Sequence, residues 1–255
     1  MLKAMIARFR QGHRTVKFPA AEPVLPDRFR GLPAVDAAKC IDSCRACADV
    51  CPTEAIEIVE DRPRLDLGRC LFCGECEQAC APGALTFGRE HSLAARRRED
   101  LIVDGAVHAK AEALDKEARR LFGRSLKLRQ VSAGGCNACE ADLNVLSTVV
   151  FDLGRFGIQF VAAPRHADGV LITGPVTQNM LLALKKTYEG VPAPKLVIAV
   201  GACAISGGIY AGHDEATGGA DKTLDVDLYI PGCPPHPATI LDGLLRLLGR
   251  MQRAE

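Results

Sequence analysis

Eight of the twelve cysteines in this 255-residue sequence fall between Cys40 and Cys80, and that density decides what the first part of the chain can fold into. The first run, CIDSCRACADVCP, places thiols at Cys40, Cys44, Cys47 and Cys51. After eighteen intervening residues the second run, CLFCGECEQACAP, places them at Cys70, Cys73, Cys76 and Cys80. A segment so short builds little apolar core, so its thiols must be tied to one another or to metal. No stretch of eighteen apolar residues and no signal-peptide pattern is present, so the chain reads as cytoplasmic and not membrane-spanning. In a reducing compartment, dense cysteines point to metal rather than to disulfides.

The repeat extends past the cysteines. CPTEAIEIV follows the first run and CAPGALTFG the second, each a turn and then an alternating, strand-like tail. Two copies of one unit, related by a local twofold, make a compact α+β module of the two-cluster ferredoxin pattern. Three thiolates in tight succession wrap one corner of an iron–sulfur cubane, and in such modules the fourth cysteine of each run serves the other cluster. That logic groups Cys40, Cys44, Cys47 and Cys80 as one [4Fe–4S] set, and Cys51, Cys70, Cys73 and Cys76 as a second. Two departures stand out: three residues, not two, separate Cys40 from Cys44, and Ala81 precedes Pro82. Zinc sites or a disulfide knot are the alternative, but runs this dense suit a cubane better than tetrahedral zinc.

From Ser125 the pattern becomes apolar runs alternating with amphipathic stretches. LKLRQV, IQFVAA, GVLITG, KLVIAVG and DLYIPG read as strands, and EADLNVLSTVVFDLGRFG, NMLLALKKTYEG and PATILDGLLRLLGRM as helices. This is an α/β pattern, a flavodoxin-like parallel sheet covered on both faces. Ligands gather outside the carboxyl ends of such strands, and the remaining cysteines belong there. Cys136 and Cys139 follow the first strand in SAGGCNACEAD, Cys203 follows the fourth in VGACA, and Cys233 follows the fifth in IPGCPPHP. A Cys-x-x-Cys pair alone is half of a redox disulfide, a zinc site or a cluster site. With Cys203 and Cys233 at the same rim it completes a third [4Fe–4S] set; the bland alternative is two ordinary core thiols. The glycines ahead of these cysteines let backbone approach a bulky group and turn amides toward it. Twelve cysteines then fill three sets of four, and no thiol is left as a nucleophile or nickel ligand.

GGCNACEADLNVL, PRHADGVLITGPVTQNM, VIAVGACAISGGI and YIPGCPPHPATILDGLLRLL resemble the small subunit of group 4 membrane-bound [NiFe] hydrogenases, including formate hydrogenlyase, over roughly residues 125–250. They are also similar to the 20 kDa subunit of complex I. That subunit places two cluster cysteines side by side, whereas Cys136 and Cys139 are separated by Asn137 and Ala138, which favours the hydrogenase-like branch. The amino-terminal part, FPAAEPVLPDRFRGLP and the eight cysteines, resembles the two-cluster polyferredoxin subunit of the same complexes, so the chain looks like a fusion of the two. The resemblance implies an electron-transfer subunit working against a large catalytic subunit, with membrane-arm subunits and an electron donor or acceptor protein as further partners. It also implies a cytoplasmic location, peripheral on the inner face of the cell membrane. A complex I-like quinone reductase and a nickel-free hydrogenase relative are the alternatives.

The expected organisation is a basic segment over 1–35, the ferredoxin domain over 36–91, a helical linker over 92–124 and the α/β domain over 125–255. In the first segment Leu2, Met5, Ile6 and Phe9 recur at helical spacing among Lys3, Arg8, Arg10, Arg14 and Lys17, which suits a membrane surface or a protein neighbour. In the linker, Arg96, Arg97 and Arg98 are expected on a solvated helix. Glu140 opens a helix, where the dipole favours a carboxylate; the sharper expectation is proton coupling beside the third cluster. His166 and His236 are assigned no ligand role. A nucleotide-binding alternative wants a glycine-rich phosphate loop after the first strand, where cysteines stand instead. A nucleic-acid-binding alternative finds 32 Lys and Arg balanced by 31 Asp and Glu, and no tryptophan.

Overall fold

The computed structural model describes residues 2–12, 14–105 and 108–251. Helix α1 (Leu2–Gln11) is followed by β1 (Pro33–Val35), α2 (Ala46–Asp49), β2 (Ile56–Val59), β3 (Arg62–Asp66), α3 (Glu75–Ala79), β4 (Leu85–Phe87) and β5 (Ile102–Val103). Then come α4 (Lys116–Phe122), β6 (Leu126–Ser132), α5 (Ala138–Val145), β7 (Ile158–Phe160), β8 (Gly169–Thr173) and α6 (Gln178–Glu189). The chain closes with β9 (Leu196–Val200), α7 (Ala202–Ser206), β10 (Leu228–Ile230) and α8 (Pro237–Leu247).

The cysteine-rich repeat folds as two interlocked halves. β4, the tail of the second run, pairs antiparallel with β1, which precedes the first. β2, the tail of the first run, pairs antiparallel with β3, which precedes the second. Each half therefore borrows its partner strand from the other, and the short helices α2 and α3 lie between the two ladders. Strands of three to five residues bury little area, so this module leans on its cysteine sites and on the neighbouring domain for stability.

The second half forms a five-stranded sheet in the order β10-β9-β8-β6-β7, with every adjacent pair parallel. Counted within the domain this is the 2-1-3-4-5 order of doubly wound, flavodoxin-like sheets, whose ligands collect where the strand order reverses. Here the reversal lies between β6 and β8. Alternation along the strands sends Leu126, Leu128, Leu171, Ile198 and Ile230 to a core under α5 and α8. Val131, Val170, Ile172, Val197 and Tyr229 go to the opposite core, which also contains Leu65, Leu67, Leu101 and Val103 of the ferredoxin half. One face of the sheet is thus covered partly by the other module. α8 starts on Pro237 at its first turn, and His236 Nδ1 caps it by accepting from Ala238 N at 3.1 Å.

Two sequence expectations differ from the structure. The segment 92–124 is not a continuous helix; among its described residues the one α-helix is α4, seven residues long. Leu93, Ala94 and Ala95 are buried, Ala95 pairs in both directions with Tyr229 at the sheet edge, and Leu114 N donates to Leu247 O. β5 extends the β2-β3 ladder, and Arg98 forms a two-pronged ion pair with Asp66 at 2.7 and 2.5 Å. The alanines that suggest helix are small residues needed for close packing: a side chain on Gly243 of α8 would stand 2.8 Å from Ala94 Cβ. The helix expected over 140–157 stops at Val145. Ser147, Thr148, Val149 and Val150 are poor helix formers; Thr148 Oγ1 donates to Val145 O, and Val150 O is taken by Val16 N.

Candidate functional site

The eight cysteines of the first module surround two cavities, and they divide between them across the repeat. One cavity is lined by Cys40, Cys44, Cys47 and Cys80, with Ile58, Pro63 and Leu85 beside them. A second is lined by Cys51, Cys70, Cys73 and Cys76, with Ile56, Leu65 and Phe87. The exchange follows from the backbone: the fourth cysteine of each run sits at the turn that leads into its tail strand, and that strand packs on the other half.

Three amides donate to cysteine sulfurs, and two of them repeat the twofold. Ala55 N donates to Cys51 Sγ and Ala84 N to Cys80 Sγ, each at 3.2 Å and each four residues past its acceptor. Phe72 N donates to Cys70 Sγ at 3.3 Å. Hydrogen bonds to ligand sulfur stabilise the charged form and tune the potential of any cluster held there. Sequence alone pointed to glycines of the second domain as such donors; the ones seen here belong to two alanines and a phenylalanine, whose identity carries no signal because the donor is backbone.

The third set assembles at the carboxyl ends of the sheet. Cys136 and Cys139 follow β6, with Asn137 in the left-handed region at φ +71° as the residue before α5. Cys203 is the second residue of α7, after β9, and Cys233 follows β10. Gly201 at φ +91° shows how tight the fit is, since a Cβ there would lie 2.6 Å from Cys139 Sγ. At the reversal point Gly135 and Gly174 meet backbone to backbone; a Cβ on Gly174 would fall 2.5 Å from Gly135 N. Only glycine lets the β6 and β8 loops approach like this.

The electrostatics of the thiols fit them to a cationic core. Burial pushes Cys70 up to about 12 and Cys76 to about 11, with neighbouring cysteines adding to both. Burial likewise raises Cys139, where Glu140, Cys203, Cys233 and Cys136 oppose its ionisation further. Cys203 is pushed to about 11 by burial and then by Cys233 and Cys136. Four thiolates packed this way repel one another, and a positively charged metal core is what relieves them. Among the described residues no three His, Cys, Asp or Glu side chains converge tightly enough to hold a single metal ion. The eight ferredoxin sulfurs stand instead around two cavities, an arrangement suited to a group of several atoms held at its corners.

The sets are not evenly placed. Burial and then the charge of Cys136 and of Cys73 raise the pKa of Cys233. Cys73, Cys136 and Cys233 are also exposed. An open cleft at this junction is lined by Arg28, Arg30, Phe72, Cys233, Pro235 and His236. His236 lies edge-on to Phe29 and is held below the usual imidazole range by burial and then by His91. His166 sits in a turn just before β8, at the opposite, amino end of the sheet from the cysteines.

Glu140 is where the helix-start expectation put it, but its partners were not legible beforehand. Oε1 accepts from Ser132 Oγ at 2.5 Å and from Thr173 Oγ1 at 2.6 Å, the last residues of β6 and β8. Of the three linker arginines, Arg97 pairs with Asp100 and Arg98 with Asp66, so neither is a free steering charge.

Comparison with known proteins agrees with this architecture. Residues 136–247 match the family model described as NADH ubiquinone oxidoreductase, 20 Kd subunit, and residues 39–84 match the 4Fe-4S dicluster domain. A probable membrane-bound hydrogenase subunit mbhJ of Pyrococcus furiosus is 39% identical over 52% of this chain and 80% of its own length. Formate hydrogenlyase subunit 7 of Escherichia coli is 40% identical over 60% of this chain; the match spans 58% of that protein. An NADH-quinone oxidoreductase subunit of Citrifermentans bemidjiense is 47% identical over 44% of this chain and 66% of its own length. Both family matches and the cysteine geometry converge on iron–sulfur clusters as the bound group. The chain belongs to the family of the 20 kDa subunit of NADH ubiquinone oxidoreductase and its hydrogenase relatives, and carries a 4Fe-4S dicluster ferredoxin domain ahead of that subunit in the same polypeptide.

Proposed function

We propose that this chain is an electron-transfer subunit of a membrane-associated, group 4 [NiFe] hydrogenase-like complex, of the formate hydrogenlyase type, and that it holds three [4Fe–4S] clusters. The residues would be Cys40, Cys44, Cys47 and Cys80 for the first, Cys51, Cys70, Cys73 and Cys76 for the second, and Cys136, Cys139, Cys203 and Cys233 for the third. Bound there, each cluster supplies a site that takes up and releases one electron. The chain's own work is to hold the three sites at fixed separation and present the last one to a partner.

The observation that carries this reading is the cleft that Leu71 and Phe72, which lie between Cys70 and Cys73, share with Cys233; it makes the Cys70 set a neighbour of the rim set. The segment 92–124 supports it by stitching the halves into one body through β5, the Ala95 bridge and the Arg98–Asp66 pair. Exposed Cys136 and Cys233, with exposed Ile209 and Tyr210 beyond α7, mark the face for a large catalytic subunit. The Cys136-x-x-Cys139 spacing favours a hydrogenase-type partner over a quinone-reducing one.

Attachment to the inner face of the membrane fits the same reading. Leu2, Met5 and Phe9 of α1 are 73%, 67% and 94% exposed among Lys3, Arg8 and Arg10, and the adjoining Thr15 and Val16 bond to the backbone of exposed Val149 and Val150. Among the described residues no helix is long and apolar enough to cross a membrane, so contact would be at the surface or with membrane-arm subunits.

A second reading, a complex I-like or nickel-free relative, draws support from the name of the matched family and from the likeness to the NADH-quinone oxidoreductase subunit. Purifying the complex anaerobically through a tag on this chain and measuring nickel together with hydrogen evolution separates the two. Nickel with hydrogen turnover is expected; intact clusters without either would move the function to the second reading.

A further inference from the structure

Arg30 lies across the loop that carries the Cys70 set. A side chain on Gly74, between Cys73 and Cys76, would stand 2.6 Å from Arg30 Nε and 2.9 Å from its Cζ. Arg30 Nη1 donates to Phe72 O at 3.4 Å, and Phe72 N donates to Cys70 Sγ. Cys73 and Gly74 line the cavity of that set, whereas Arg30 lines the open cleft with Cys233 and His236. The loop therefore has the sulfur cavity on one side and a guanidinium on the other. The neighbouring backbone fixes this placement: Gly31 N donates to Gly88 O, and Phe29 lies edge-on to His236.

An arginine keeps its proton in any protein environment, so the charge here follows from the residue type alone. Among the described residues Arg30 makes no ion pair, and Asp142, the one carboxyl lining the same cleft, is not bonded to it. A cluster gains one negative charge when it is reduced, and a nearby cation stabilises the reduced form more than the oxidised one. We propose that Arg30 is a fixed cation for electron transfer: it raises the reduction potential of the cluster held by Cys51, Cys70, Cys73 and Cys76. An electron is thereby held at the site that shares the cleft with the rim set. This rests on the second set holding a cluster. The competing role is mechanical, with Arg30 merely clamping Phe72, whose backbone sits at φ +54°.

The test is a redox titration of the anaerobically purified complex, followed by electron paramagnetic resonance of the signal that Cys51→Ser perturbs. Arg30 is exposed, so water and salt screen it and the effect is modest. Arg30→Gln should weaken the reduction equilibrium about threefold, a midpoint lower by about 28 mV at 59 mV per tenfold for one electron. Arg30→Lys, which keeps the charge and loses the fork, should stay nearer to wild type, and Arg30→Glu should fall below Arg30→Gln. The gap between wild type and Arg30→Gln should narrow from about 0.1 M to about 1 M salt, as the Debye length drops from about 10 Å to about 3 Å. An unchanged or raised midpoint in Arg30→Gln would overturn the proposal. So would an equal shift in Arg30→Lys and Arg30→Gln that salt leaves untouched, since that is the signature of a clamp. Loss of four irons in Arg30→Gln and Arg30→Lys alike would refute it in the same way. A wild-type complex with no signal from this set would instead remove the cluster assignment itself, and this inference with it.

Discussion

Replacing Gly201 with alanine should empty the third cluster site and leave the other two loaded. The new Cβ would lie 2.6 Å from Cys139 Sγ, against roughly 3.5–4.0 Å for relaxed contact between heavy atoms. The sulfur must therefore retreat by about 1 Å, while metal–ligand distances tolerate only about ±0.2 Å. The backbone adds its own resistance, since Gly201 sits at φ +91° and ψ 155°, a region essentially reserved for glycine, where an L residue costs about 1–3 kcal/mol. That cost is small beside a typical domain stability of about 5–15 kcal/mol, so the fold should persist while the site fails. The assay is iron and acid-labile sulfide on the tagged complex, with spectra of the reduced protein. The iron assigned to this chain should fall from about twelve to about eight atoms, four per cubane, with the ferredoxin signals intact. Full iron with three unaltered signals would show that Cys139 does not hold a cluster at this position.

Four further outcomes follow from the same geometry. Cys51→Ser should perturb the cluster signal of the Cys70 set, and Cys80→Ser that of the Cys40 set; the reverse pattern in single-variant spectra would contradict the exchange of fourth ligands. Arg98→Ala, which removes the two-pronged contact with half-buried Asp66, should lower stability by about 1–3 kcal/mol, read as a drop in thermal midpoint of the loaded protein; no drop would mean the stitch is dispensable. His236→Ala should cost about 0.5–2 kcal/mol through loss of the α8 cap, with iron content unchanged. For Glu90, burial raises the pKa, but Lys110 and Ser92 outweigh it and hold it at about 2, below its ordinary 4.5. A carboxyl depressed in the folded state contributes stability above its unfolded pKa and loses it as pH falls toward 2. Lys110→Met should therefore flatten acid destabilisation in that window, and an unchanged acid profile would refute the assignment.

How much of this was legible beforehand depends on whether the signal was local. The three closely spaced thiols of each ferredoxin run are written in consecutive residues, whereas the fourth was assigned across the repeat by the two-cluster pattern and not by spacing. Strand periodicity placed β6, β8 and β9 within a residue or two, since buried parallel strands read as unbroken apolar runs. The segment 92–124 misled, because alanine and charge suggest a solvated helix while Ala94 and Ala95 are small for packing reasons that only α8 and β10 reveal. The early end of α5 was also hidden, its β-branched run being masked by apolar periodicity. Ser132 and Thr173 are 41 residues apart, so nothing in the sequence joins them to Glu140; the sheet register does. The cleft that Leu71 and Phe72 share with Cys233 depends on how two modules dock, which no local pattern encodes.

The central claim is that all twelve cysteines hold clusters in three sets of four. Iron and acid-labile sulfide, measured per copy of this chain on the anaerobically purified complex after subtracting the iron of its other subunits, test it most directly. About twelve of each are expected. About eight would leave the ferredoxin module intact and contradict the rim set of Cys136, Cys139, Cys203 and Cys233; zinc in place of iron would contradict the assignment throughout.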